Sequence, residues 1–191
     1  MTLVSETPAR IDDGTLVSAA RKDDEGAFRT LHERHGAPLL GFLVRLLRDQ
    51  ALAEDVLQEA FFRVYLNLDR CDETRFRAFL YQTARNAALD AIRMRRKAEK
   101  IAEGKSREPL AEHEGALESL ARKEQATRAS EALDTLAPET RALLIQRHAV
   151  GMTLEELADS WSVNERTIRT RLRAAASELA AALAALPGGL S

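Results

Sequence analysis

Large apolar residues recur every three or four positions along most of this chain, and β-branched residues are too sparse to build a sheet. Phe28, Leu31, Leu39, Leu40, Leu43 and Leu47 follow that spacing, as do Ala53, Leu57, Ala60, Phe61, Val64 and Leu68, and again Ile168, Leu172, Ala175 and Leu179. Alanine, leucine, arginine and glutamate dominate, and all four are strong helix formers. An all-α protein follows. With 45% hydrophobic and 30% charged residues, 9 Gly and 5 Pro, the chain is neither collagen-like, low-complexity nor wholly disordered. Its 191 residues suffice for one medium domain or two small ones.

The patterning divides it in two. A first block runs over 13–97 and a second over 130–185, and the stretch 98–129 between them reads as a linker. Within that stretch, charges of both signs alternate with small residues, Gly104, Pro109 and Gly115 interrupt any helix, and a short helix can begin after Gly115. In the first block, one helical pattern spans Gly26 to Leu47 with a break expected at Gly36 and Pro38. A second spans about Leu52 to Leu68, and a third about Arg75 to Lys97. In the second block, Pro138 opens a helix to His148 and Gly151 ends it. Thr153 and Glu156 have the spacing of a capping box for a short helix ending near Trp161, and Asn164 caps a final helix through about Leu183. With few contacts expected across the linker, the two blocks should move as independent bodies unless a partner clamps them.

A net charge of −2 points to no particular partner. One cysteine, Cys71, excludes an intrachain disulfide and fits a reducing compartment. The first residues lack a basic start followed by an apolar run, and no stretch is long and apolar enough to span a bilayer, so a cytoplasmic protein without membrane insertion is expected.

The charge is segregated, and that is more informative than its sum. On the last helix, Ile168, Leu172, Ala175 and Leu179 form the buried stripe, while Arg166, Thr170 and Arg173 lie opposite with Arg169 and Arg171 at the flanks. A capped short helix, the turn Ser162–Asn164 and an arginine-studded helix make a helix-turn-helix, whose arginines can neutralise phosphates or fork onto a guanine edge. The competing reading is an ordinary solvated basic face. On the helix 52–68, Asp55, Gln58 and Glu59 share the outer side with Phe62 and Leu66. Apolar anchors ringed by acids suit a protein-docking surface; the alternative is that both pack under a neighbouring helix. The helix 75–97 carries seven basic residues against one acid, Asp90. Phe76, Leu80, Thr83, Ala87 and Met94 are its expected buried stripe. Gln82, Arg85, Arg93 and Arg96 gather opposite with Tyr81 nearby, a mixture suited to a nucleic-acid backbone and unstacked bases.

In this order the segments resemble an extracytoplasmic-function (group IV) sigma factor of bacterial RNA polymerase. AEDVLQEAFFRVY (53–65) is similar to region 2.2, with Asp55, Gln58 and Glu59 on the family's Asp-x-x-Gln-Glu pattern. FRAFLYQTARNAALDAIRMRRK (76–97) resembles regions 2.3 and 2.4, and the stretch 136–179 resembles region 4. The resemblance implies sigma region 2 over 13–97, a linker over 98–129 and sigma region 4 over 130–185. It implies a factor that binds core polymerase through the β′ clamp helices and the β flap and directs it to promoter DNA. Core docking would fall to Asp55, Gln58, Glu59, Phe62 and Leu66. The minus-ten element would meet Asp69, Thr74, Arg85, Asn86, Arg93 and Arg96, with the loop 69–74 capturing a flipped base. The minus-thirty-five element would meet Arg166, Thr167, Arg169, Thr170, Arg171 and Arg173. An anti-sigma factor is a further implied partner; no cofactor or metal is.

Some positions depart from the family pattern. Phe79 stands where many members have tryptophan and His32 where many have tyrosine, and Ala174 and Ala176 replace frequent basic residues. Glu165, near the start of the last helix, could repel phosphate or accept from a cytosine amino group. An enzyme is disfavoured because His32, His35, His113 and His148 lack cysteine or carboxylate neighbours at ligand spacing, and no phosphate-cradling glycine loop is present. A dimeric helix-turn-helix repressor would leave the acidic Phe62/Leu66 face unexplained. A decoy that only captures an anti-sigma factor would not need Arg166, Arg169, Arg171 and Arg173.

Overall fold

The computed structural model describes residues 11–101 and 120–186. Among them lie eight α-helices and no strand: α1 (Asp13–Ala20), α2 (Glu25–Leu47), α3 (Gln50–Leu66), α4 (Phe76–Ile101), α5 (Leu120–Thr135), α6 (Pro138–His148), α7 (Leu154–Ser160) and α8 (Glu165–Ala185). Two short 3-10 turns, Leu68–Arg70 and Glu73–Arg75, join α3 to α4. Part of the expected linker, 102–119, lies outside the described residues, including the point at which a helix after Gly115 would begin; α5 is helical from Leu120.

Side-chain caps start most of these helices. The carboxylates of Asp12, Asp24 and Asp49 accept from the backbone N–H of Thr15, Ala27 and Leu52 at 2.9, 3.0 and 3.0 Å. Thr153 and Glu156 form the expected capping box on α7, and Asn164 caps α8 by accepting from Thr167 N–H at 2.8 Å. Pro138 occupies the first turn of α6, and Gly151 follows its end at φ +73°, a conformation open to glycine at no steric cost.

Two expectations are corrected. Helix α2 does not break at Gly36 and Pro38 but continues through both. A proline inside a helix costs ~3 kcal/mol. Leu31 and His35 before it and Leu39, Phe42, Leu43 and Leu46 after it are all buried, so breaking α2 would uncover far more apolar surface than the proline costs. Met94 is not buried in α4 but 67% exposed. Helix α4 has 26 residues against 17 in α3, so it is about 14 Å longer at 1.5 Å per residue. Its final turns outrun the neighbours that would cover that stripe. Helix α1, which the periodicity does not single out, buries Leu16, Val17 and Ala20 against the bundle.

The first four helices form one bundle around Leu31, Leu39, Phe42, Leu43, Val64, Phe76 and Leu80. Helices α6 to α8 pack through Leu143, Met152, Leu157 and Ile168, and α5 lies on α8 over Leu136, Leu144 and Ala175. The blocks are not separate bodies here. Helix α6 packs on α2 and α4, α7 packs on α4, and the buried apolar cluster runs without interruption from Val17 in α1 to Ile168 in α8.

Candidate functional site

Helix α3 presents two faces. Ala53, Val56, Ala60, Phe61 and Val64 turn inward, and the outer side carries Asp55, Gln58 and Glu59 with Phe62 and Leu66, which are 59% and 63% exposed. Among the described residues no neighbouring helix covers them, so the expected alternative of packing under one of these helices does not apply. Tyr65, 43% exposed, widens the apolar ridge, and its inner edge meets Phe28 with ring centroids 5.0 Å apart. Glu59 pairs with Arg63 at 2.6 Å along the helix. Beside the ridge, the exposed His32 packs on Phe61 at 4.4 Å between centroids, which accounts for an imidazole at an aromatic packing position.

The connection from α3 to α4 holds Asp69 and Thr74, both exposed. Its shape depends on a residue the sequence reading missed. Arg21, at the end of α1, donates from Nε to the Leu68 carbonyl at 3.0 Å, from Nη2 to the Cys71 carbonyl, and from Nη1 to Glu73 at 2.7 Å. One guanidinium thus ties three points of the loop. Within the loop, the Asp72 carboxylate accepts from both the backbone N–H and the hydroxyl of Thr74. Cys71 faces inward, and burial pushes its thiol pKa up to about 11. Nothing in the sequence pairs Arg21 with a loop some 50 positions on; only the fold does.

Helix α4 distributes its basic residues unevenly. Asn86, Arg93 and Arg96 are exposed. Arg85 is 5% exposed: its guanidinium stacks 4.0 Å above the Trp161 ring, Nη1 donates to Ser160 Oγ at 3.3 Å, and Nη2 donates to Asn86 Oδ1 at 3.1 Å. Burial, reinforced by the like charge of Arg171, lowers its pKa to about 10, which leaves it charged at neutral pH. Tyr81 is 1% exposed and packs edge-on against Phe42, so it is a core residue here and not a platform for a base.

Helix α8 behaves as its pattern predicts. Ile168 and Ala175 are buried, Leu172 and Leu179 are half-buried, and Arg166, Arg169, Thr170, Arg171 and Arg173 are exposed. Thr167 is half-buried and belongs to the cap, its hydroxyl donating to Asn164 at 2.9 Å. Glu165 pairs with Arg169 at 2.7 Å, so its carboxylate is engaged by its own helix. Arg171 leans toward Trp161, 5.8 Å from the ring centroid, while Arg166 and Arg173 have no ion pair among the described residues.

The structure therefore collects the five outer residues of α3 on one ridge and the arginines of α8 on one helix face. It separates Arg85 from Arg93 and Arg96 by burying it. It also brings the basic helices α4 and α8 to a common point, Trp161.

Two family descriptions match this chain, Sigma-70 region 2 over residues 31–98 and Sigma-70 region 4 over residues 132–181. The chain is similar to the RNA polymerase sigma factor CarQ of Myxococcus xanthus, with 32% identity over 152 residues covering 79% of this chain and 86% of that one. It is also similar to the extracytoplasmic-function sigma factor SigL of Mycobacterium tuberculosis, at 27% identity over 165 residues covering 85% and 92%. The fold is similar to that of the sigma factor RpoE solved in complex with the anti-sigma factor NepR from Bartonella quintana (TM-score 0.67, 23% identity, 83% of this chain and 97% of that one).

Proposed function

This chain belongs to the extracytoplasmic-function branch of the sigma-70 family of RNA polymerase sigma factors, and from that premise we propose how its surfaces divide the work. The factor binds core polymerase and directs promoter-specific initiation. The ridge of α3 is the docking surface for the β′ clamp helices: Phe62 and Leu66 are the apolar anchors, and Asp55, Gln58 and Glu59 select a basic or amide-rich partner around them. The second block, from about 130 to 185, carries the β-flap contact and the minus-thirty-five reader, with Arg166, Thr167, Arg169, Thr170, Arg171 and Arg173 on α8. The first block, from about 13 to 97, carries the minus-ten reader, with Asp69 and Thr74 on the Arg21-tied loop and Arg85, Asn86, Arg93 and Arg96 on α4. The segment 98–129 joins them. We assign the chain no catalytic activity of its own and a cytoplasmic location; no helix among the described residues is long and apolar enough to cross a membrane. An anti-sigma factor is the further partner we propose.

The observation that carries the docking assignment is the pair Phe62 and Leu66, the most exposed large hydrophobes of α3, standing beside its carboxylates. Run-off transcription with purified core enzyme on a pool of promoters tests the function, and selective start sites appearing only with the chain are expected. Asp55→Arg with Glu59→Arg should abolish capture of core enzyme while leaving the circular dichroism spectrum of the fold intact. Unchanged capture would remove the ridge from the docking surface.

A further inference from the structure

Helix α1 lies ahead of residue 31, where the match to Sigma-70 region 2 begins, yet it forms the back wall of the loop 69–74. Its own position is fixed on the bundle. Leu16, Val17 and Ala20 are buried, and the Asp13 carboxylate accepts from Arg34 and sits 2.7 Å from His35 Nε2. At its start α1 runs so close to the loop that a Cβ on Gly14 would stand 3.3 Å from the Glu73 carbonyl oxygen. At its end every guanidinium nitrogen of Arg21 donates to the loop or its entrance: Nε to the Leu68 carbonyl, Nη2 to the Cys71 carbonyl and Nη1 to the Glu73 carboxylate. Leu68 and Cys71 turn inward, 5% and 3% exposed, whereas Asp69, Arg70, Asp72 and Thr74 face solvent. Arg21 therefore grips the connection by the carbonyls of its buried positions and leaves the outer edge free. The bonds from Arg70 N–H to Asn67, Cys71 N–H to Leu68 and Arg75 N–H to Asp72, at 3.0, 3.0 and 2.9 Å, shape the loop from within. Its placement on the bundle is left to two buried side chains and Arg21.

We propose that Arg21 is a positioning residue for base selection: from α1 it holds the loop 69–74 in the shape that lets Asp69 and Thr74 discriminate the captured minus-ten base, without touching DNA itself. This rests on the reading of that loop as the base-capturing part of the minus-ten surface. The direction of its donors separates positioning from contact. Each nitrogen is engaged by a protein acceptor and the side chain is 24% exposed, so the cation is turned to the loop and not to a phosphate. A planar guanidinium holds several acceptors in one geometry, which an ammonium on a flexible stem does not. Reading a base needs that fixity, because polar groups select a partner only when held within about 0.5 Å of the productive arrangement. A loose loop adapts to wrong bases as well as to the right one, and its ordering cost falls on both alike. Losing the tie therefore narrows the gap between right and wrong base, which a general loss of stability does not.

The experiment uses holoenzyme assembled from core enzyme and the full chain, with labelled single-stranded oligonucleotides carrying the minus-ten segment of a promoter that the wild-type holoenzyme selects. One position at a time is changed to each other base, and discrimination is read as the ratio of dissociation constants. The position at which Asp69→Ala or Thr74→Ala collapses that ratio is the base the loop reads. There, Arg21→Ala and Arg21→Lys should each lower the ratio roughly five- to tenfold, while ratios at the other positions and capture of core enzyme stay at wild-type values. Partial unfolding reduces the binding-competent fraction and scales every dissociation constant alike, so it does not produce that pattern. Arg21→Lys keeps the charge and an apolar stem, and so provides the readout if the alanine variant fails to fold. A wild-type ratio in Arg21→Lys assigns any effect to charge and overturns the three-point tie. Wild-type ratios in both variants overturn any part for Arg21 in selection. The two levels separate cleanly: if no position depends on Asp69 or Thr74, the reading of the loop falls and this inference with it. If one does and the Arg21 variants match wild type there, only this inference falls.

Discussion

His35 shows how burial and charge compete at a single side chain. It is 9% exposed, with Nε2 2.7 Å from one oxygen of Asp13 while Arg34 takes the other. The contact reads as an ion pair by distance, yet desolvation outweighs the pull of Asp13 and holds the imidazole pKa below its usual 6.5. Arg34 already neutralises Asp13, so His35 donates as a neutral ring. The unfolded chain then binds more protons than the folded one as pH falls, and the stability present above pH 6.5 is lost on acidification through the folded pKa. The urea midpoint should drop between pH 7 and pH 5, and His35→Gln should flatten that part of the profile. Arg21 acts by hydrogen bonding instead. Arg21→Ala leaves the Leu68 and Cys71 carbonyls without their donor, an expected cost of about 1–3 kcal/mol, with faster hydrogen exchange at the amides of Cys71 and Arg75. Exchange rates equal to wild type would show that the loop holds itself.

Helices form where local signals and packing agree, and where they conflict packing decides. The capping box on α7 and the asparagine cap on α8 were legible because each is a rule about residues three apart. Thr153→Ala should cost about 1 kcal/mol, and the melting temperature should fall by ~2–4 °C. The break at Pro38 was a sound local inference that six buried side chains on α2 override. Pro38→Ala should therefore stabilise the chain by about 1–3 kcal/mol, measured by urea unfolding; an unchanged midpoint would mean that α2 carries no strain there. On α8 the exposed arginines were legible from the helical period alone. Arg173→Ala should weaken promoter binding by holoenzyme and reduce the log–log salt slope by about 1, the signature of one lost phosphate contact.

At the scale of the whole molecule, one apolar cluster spans both blocks and charged pairs seal its edge. Unfolding followed by Trp161 fluorescence and by far-ultraviolet circular dichroism should coincide at low ionic strength. The two curves should separate near 0.5 M salt, where the Debye length is about 4 Å and the Arg75–Asp159 and Arg77–Glu156 pairs are screened. Coincident curves at both salt concentrations would mean that apolar contacts alone join the blocks. The sequence reading expected independent bodies because nothing in a linear pattern reveals which charged faces meet across a linker. The same blindness placed Arg85 and Tyr81 on an accessible basic surface and Met94 in the core. A helical wheel records the direction a side chain takes from its own axis, not what stands there or where the neighbouring helix ends.

Helical class, the division into two patterned blocks, the caps, the acid-rimmed ridge of α3 and the arginine face of α8 were all written in the chain itself. Each depends on spacing within one element, and the period of a helix converts spacing into a face. Folding in three dimensions decided that Pro38 would be accommodated, that Arg21 would hold a loop remote in sequence, and that Arg85 would lie on Trp161. Those outcomes depend on which surfaces meet, and meeting is settled by the sum of burial and charge over the assembled helices.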